Sequence, residues 1–476
     1  MRRSILLMFI ALILASLSCQ TLMPSPTPVL QATKTLPPTK ETQPTQEPLP
    51  SATTAATPVA QATKVVETQD APATAAELPP AVVRSMNQIQ RDVMEIRGLQ
   101  ASDDVPRALL SSDELRQRVI DDFLADYTPE DAQLDVIELS AFGLVEPGFD
   151  FLTFFTELLS EQVAGFYDDE FKEMYVVAGE DFGGMERLTF AHEYVHALVD
   201  QTYDIQNGLD FTDESCEADT ERCAAIQALM EGDATNVELE WFINYATQAD
   251  QQELIAEASS YSSPVFDSAP PFMQEDFLFP YVKGQTFVPS LLDQGGWEAV
   301  DAAYQNLPVS TEQILHPKLY PNDRPLLVEL PDLSAALGEG WQELDRNVLG
   351  EWYTYLTLAR GWRVETQLDD ETALAAAAGW GGDAYVVYHN DTSGATVLVV
   401  DWLWDREAEA DEFAGAFATY ASARFGVNSQ RTGKWSTWET PSAVSLLYTH
   451  DNRTIWVYAP NAETAQAIVD TLEVDE

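Results

Sequence analysis

Residues 189–198 read Thr189-Phe190-Ala191-His192-Glu193-Tyr194-Val195-His196-Ala197-Leu198. The spacing of the two histidines decides how the chain around them is read. On a helix, positions i and i+4 share one face. His192 and His196 therefore offer imidazole nitrogens to a single ion, with Zn2+ held at about 2.0–2.1 Å. Glu193 projects beside that ion, where it takes a proton from a zinc-bound water. The flanking positions are uncharged, as a helix packed in a core requires. The chain has only five histidines in 476 residues, so an HExxH string is expected by chance far less than once. The competing reading is a pair of core histidines satisfied by hydrogen bonds.

The helix expected over 185–201, with Asp200 four residues after His196, resembles the active-site helix of thermolysin-like gluzincins. The resemblance implies a third ligand, a glutamate on a later helix. Glu231 fits, in Ala228-Leu229-Met230-Glu231-Gly232-Asp233-Ala234. A carboxylate in an apolar helical run is costly unless paired or metal-bound, and Gly232 lets another helix approach closely. A solvated glutamate at a helix edge is the alternative. The pattern departs from the family at Thr235, where thermolysin-type enzymes carry an aspartate that orients a histidine; Asp233 or Asp200 is then expected to orient the ligands. The gap from His196 to Glu231 is also longer. The arrangement AHEYVHALVDQ … ALMEGDA is similar to that of uncharacterised bacterial lipoproteins.

The N-terminus reads as an export signal. Arg2 and Arg3 precede an apolar run over 5–17 that is short for a membrane span. It ends at Ser18-Cys19, which resembles a lipobox with Cys19 as the lipidated residue, although Ser16 stands where an aliphatic residue is usual. Ordinary signal cleavage remains the other route. Two cysteines are left, Cys216 and Cys223, in a stretch read as a polar loop. In an exported chain they suggest a disulfide; a metal pair is the alternative. The 78 acidic against 25 basic residues, a formal charge of -53, repel nucleic acid and anionic lipid and form a solvated acidic surface.

The expected fold class is α+β. Residues 1–19 form the lipoprotein signal, 20–80 a Thr/Pro-rich disordered linker, 81–335 a mainly helical zincin-like domain with a small β-hairpin, and 340–476 a smaller α+β domain. Helices are expected after a Ser112 cap, after the capping box that begins at Thr128, and over 151–159, 224–245, 282–304 and 311–315. Residues 163–167 and 173–177 read as a hairpin whose edge is placed to take an extended peptide. Residues 264–280, rich in Pro and Phe, read as irregular. Strands are expected over 384–388, 395–402, 443–448 and 454–458, and helices over 408–423 and 462–472. Trp380-Gly381-Gly382-Asp383 reads as a tight turn, and His389 and His450 as surface residues.

Peptide hydrolysis also needs a donor for the developing oxyanion. His316 is the first candidate, with two other readings: an alternative third ligand, or a structural cap before Pro317. Tyr281 and Tyr320 follow. The expectation is therefore an extracytoplasmic, lipid-anchored zinc metallopeptidase acting on peptide or protein. Zn2+ sits on His192, His196 and Glu231, and Glu193 is the general base. A zinc hydrolase for non-peptide amides ranks lower. The rival of another class is a non-catalytic surface-binding lipoprotein that uses the zinc helix as scaffold.

Overall fold

Capping chemistry fixes where the first helices begin. The computed structural model describes residues 78–472 and 474, apart from 125, 126, 163, 178–181 and 261. The signal segment with Cys19, and the linker up to residue 77, lie outside the described residues. Helix α1 (Pro80–Arg97) opens with proline in its first turn, where the missing N–H costs nothing. Strand β1 (Arg107–Leu110) follows. Helix α2 (Ser112–Phe123) is capped by Ser111, one residue earlier than expected. Ser111 has extended backbone and its hydroxyl accepts the Glu114 N–H, so Ser112 is already helical. Helix α3 (Pro129–Phe142) carries the Thr128–Asp131 capping box, and α4 (Phe151–Gln162) closes this region.

Strands β2 (Gly165–Asp168) and β3 (Glu173–Val177) form the expected hairpin, and β1 joins β3 in parallel. The order is β1–β3–β2, which leaves β2 at an edge. Helix α5 (Gly184–Tyr203) carries the HExxH string. A Cβ on Gly165 would meet Thr189 Cγ2 at 2.8 Å, so the missing side chain lets β2 lie directly against α5.

Helix α6 (Asp213–Ala218) and the first turn of α7 (Thr220–Asn244) take up part of the expected polar loop, the rest of α7 is the helix expected over 224–245, and a disulfide joins Cys216 to Cys223 across the α6–α7 junction. Then come α8 (Gln248–Ser260), α9 (Pro264–Asp267), α10 (Pro271–Gly295), α11 (Trp297–Gln305) and α12 (Thr311–Leu315). Residues 264–280 are thus helical in the main, not irregular. Helix α10 runs through Pro280 and Pro289, although each removes a backbone donor. Packing on α7 offsets that loss: a Cβ on Gly232 would stand 2.6 Å from the Gly284 carbonyl carbon, so the two backbones touch where neither residue has a side chain.

The second region comprises α13 (Ser334–Leu337), β4 (Trp341–Asn347), α14 (Gly350–Ala359), α15 (Asp370–Ala377), β5 (Trp380–Asn390), β6 (Ala395–Trp404), α16 (Glu407–Phe425), β7 (Gln430–Thr432), β8 (Trp435–Glu439), β9 (Val444–His450), β10 (Arg453–Ala459) and α17 (Ala462–Val469). Its antiparallel sheet has the order β4–β5–β6–β10–β9–β8–β7. Side chains alternate between two buried faces. Tyr385, Val387, Leu398 and Val400 join the core that continues into the helical region. Ala384, Val386, Val397 and Val399 face a second core closed by Leu333, Ala465 and Ile468. The fold is α+β.

Two local expectations are corrected here. Residues 380–383 are not a turn but the start of β5, which bulges between Trp380 and Gly382. Gly382 is required there because a Cβ would stand 2.3 Å from the Leu326 carbonyl oxygen. His389 is buried and its Nδ1 pairs with the Thr396 hydroxyl at 3.0 Å; its strand is covered on both faces, which sequence alternation alone did not reveal. Among the described residues, no helix is long and apolar enough to cross a membrane.

Candidate metal centre

Helix α5 crosses α7 so that His192, His196 and Glu231 converge. Nε2 of His192 lies 3.1 Å from Glu231 Oε2 and 3.2 Å from His196 Nε2. His196 Nε2 is 3.5 Å from the same carboxylate oxygen. All three residues are buried. Ligands of a tetrahedral ion held at about 2.0–2.1 Å stand about 3.3 Å apart. Two imidazoles and a carboxylate at these separations fit zinc in donor type, number and spacing.

The other nitrogen of His192 is held as well. Nδ1 lies 2.9 Å from Glu238 Oε2, and Glu238 is 1% exposed. A carboxylate behind a ring nitrogen fixes the tautomer, so that Nε2 would present its lone pair to an ion held there. Burial by itself disfavours a protonated His192, but hydrogen bonds to Glu231 and Glu238 carry its pKa well above the ordinary value. For Glu231 burial again opposes charge, yet His196 and His192 hold its carboxyl down at about 2. Both directions have one cause, the contacts between the Glu231 carboxylate and the imidazoles.

Asp200 and Asp233 do not orient the ligands as expected. Asp200 accepts from the Tyr167 hydroxyl at 2.7 Å, from Lys172 Nζ at 2.7 Å and from the Ile205 N–H at 3.1 Å, which fastens the hairpin to α5. Asp233 accepts from Arg97 Nε at 2.9 Å and from the Tyr304 hydroxyl at 3.0 Å, which fastens α1 and α11 to α7. Neither touches a histidine of the cage, because each already faces a donor from another element. Glu238 was missed. Its signal is its place seven residues after Glu231, two turns along the same face.

Glu193 is 5% exposed, and one oxygen, Oε2, accepts the Tyr167 N–H at 2.9 Å. Burial raises its pKa against the pull of His192 and His196. The edge strand β2 thus reaches the candidate base through its backbone.

His316 does not join the cage, either as donor or as third ligand. Its Nε2 pairs with Glu351 Oε1 at 2.8 Å. That hydrogen bond raises its pKa against burial, and the charges acting on it are Glu351 and Lys283, not cage residues. The physical reason lies in α10: Tyr281 and Lys283 are two residues apart and so leave the helix on different faces. The Tyr281 ring stands 6.4 Å from the His192 ring, and Lys283 lies over Trp352. Burial, then the charges of Glu231 and Glu193, push the Tyr281 hydroxyl well above its ordinary pKa. Of the two tyrosines, Tyr281 lies beside the cage, while Tyr320 donates to the Asn306 carbonyl at 2.7 Å.

A family described as "Domain of unknown function (DUF8575)" matches residues 338–469. That span covers the seven-stranded sheet with α14 to α17 and excludes the cage. No curated protein and no solved structure matches the chain.

Proposed function

We propose that this chain is a zinc-dependent peptidase of the gluzincin type. The observation that carries the reading is the convergence of His192, His196 and Glu231 within 3.5 Å of one another, with Glu193 on the turn between the histidines. His192, His196 and Glu231 are the residues that hold the ion. Zinc there supplies Lewis acidity towards water and the scissile carbonyl.

The chain's own residues supply the rest. Glu238 keeps His192 Nε2 directed at the cage. The Tyr167 N–H orients the Glu193 carboxylate. Glu193 takes the proton of the attacking water and returns it to the leaving amine. Tyr281 donates its hydroxyl to the oxyanion as it develops. The edge of β2, beside Glu193, receives the substrate as an added strand. The Cys216–Cys223 disulfide supports an oxidising, extracytoplasmic location, with lipid on Cys19 as the anchor.

The deciding variant is Glu193→Gln. It is expected to retain stoichiometric zinc by mass spectrometry while cleavage of a mixed peptide library falls by about 100-fold or more. A zinc-loaded wild type that cleaves nothing in that library favours the scaffold reading instead.

A further inference from the structure

Away from the cage, α12 meets the turn between β6 and α16, and carboxylates gather there that the peptidase reading does not use. Glu312 lies on α12, Asp323 on the turn after it, and Asp405 at the end of β6. One oxygen from each lies within 4.8 Å of the others. Three like charges this close do not coexist without a counter-cation or a shared proton.

The neighbouring donors are committed elsewhere. Glu312 is 4% exposed, yet among the described residues no hydrogen bond or ion pair reaches its carboxylate. The Thr311 N–H and hydroxyl both go to Glu221. The Gln313 amide donates to the backbone oxygen of Asp323, and Arg406 pairs with Glu409. Glu351, 2% exposed, gives Oε1 to His316, while Oε2 is buried with no partner. Glu409 Oε2 is likewise buried and unpartnered. Buried carboxylate oxygens without donors are rare because each forfeits its hydration. Here they point to a missing positive charge.

Burial first, then Glu351, Asp323, Asp405 and Glu409, push the Glu312 carboxyl up to about 9. The Glu351 carboxyl is raised by burial against the pull of His316 and Lys283, with Asp405 adding to the rise. The same groups that disfavour the charge of Glu312 are the ones that would surround an ion.

We propose that Glu312, Asp323 and Asp405 ligate a second, structural cation, a hard divalent ion of the Ca2+ class, with Glu351 as the buried anionic wall behind it. The donor set is oxygen alone, with no thiolate or ligating imidazole, which selects against zinc and copper. Calcium takes oxygens at about 2.3–2.6 Å in flexible geometry, and the exposed side at Asp405 leaves room for the waters that complete its shell. Because Glu312 and Asp323 belong to the helical region and Asp405 to the sheet, the ion ties the two together. The inference does not depend on the zinc reading.

The test uses the full chain at constant zinc, titrated with CaCl2 and followed by thermal midpoint and by Tb3+ luminescence with calcium competition. Wild type is expected to rise by a few degrees at millimolar calcium, with the apparent affinity weakened about tenfold or more in Glu312→Gln and in Asp405→Asn. Asp405 is exposed, so Asp405→Asn keeps the test readable if Glu312→Gln does not fold. Wild type that ignores about 10 mM calcium overturns the proposal, since a shared proton then suffices. A calcium response unchanged in Asp405→Asn also overturns it, by placing the ion on the general acidic surface.

Discussion

Glu238 Oε2 lies 2.9 Å from His192 Nδ1, while Glu231 Oε2 lies 3.1 Å from Nε2 of the same ring. One helix therefore grips both nitrogens of one imidazole, seven residues apart. In the proposed zinc site the near carboxylate would share the ion with the ring, and the far one would set the direction of the ring's lone pair. Removing the far one leaves all three ligands in place but frees the ring.

Glu238→Gln is accordingly expected to weaken zinc binding by about 10–100-fold while the fold persists. Competition with a chromophoric chelator measures this. Affinity equal to wild type would mean that the Glu238 contact does not tune the ion.

Tyr281→Phe is expected to lower kcat by about 100-fold with little change in KM or in zinc content. Steady-state kinetics on a library-derived peptide separates the two constants. The corresponding change at His316, whose partner is Glu351, is expected to leave kcat within about twofold of wild type.

Gly232→Ala places a Cβ where the Gly284 backbone stands, at 2.6 Å. Neither backbone can yield cheaply, so about 1–3 kcal/mol of stability should be lost. Zinc affinity should fall with it, because α7 carries Glu231 and α10 carries Tyr281. Urea denaturation and zinc titration on the same variant report both effects.

Acid should release the zinc. Burial opposes protonation of His192, but Glu231 and Glu238 raise its pKa well above the ordinary value, so a proton competes with the ion for Nε2. The sign follows from linkage. A raised folded pKa gives chelator-treated protein a stabilising contribution that is complete below the unfolded value of about 6.5. That contribution is lost as pH rises through the folded value. Zinc takes over the role at higher pH, so apparent zinc affinity should fall by up to about tenfold per pH unit on acidification. Equilibrium dialysis between pH 5 and 8 would show it; a flat profile would contradict it.

How much of this was legible depends on how far each partner lies along the chain. His192, Glu193 and His196 are one helical turn apart, and the capping box at Thr128 and the strands over 384–388 and 395–402 are equally local. Glu231 stood out as an acid in an apolar run, and Cys216 and Cys223 as a close pair. By contrast, the 264–280 stretch misled: proline argues against a helix, and only the backbone contact of Gly232 with Gly284 explains why one persists through Pro280. Tyr281, one residue before the helix expected from 282, was undervalued for that reason. The seven-strand order, with β10 between β6 and β9, was likewise beyond periodicity.

The sequence by itself determined the chemistry on offer: two imidazoles and an acid within one turn, a later acid in an apolar run, a close cysteine pair, and an α+β alternation of helical and strand periods. Those rest on i, i+4 and i, i+2 geometry, which backbone stereochemistry imposes locally. Only the tertiary structure decided which acid does what. Asp233 faces Arg97 across 136 residues, Asp200 faces the hairpin, and Glu238 joins Glu231 at His192. Carboxylates are chemically alike, and what distinguishes them is the donor that packing brings within 3 Å.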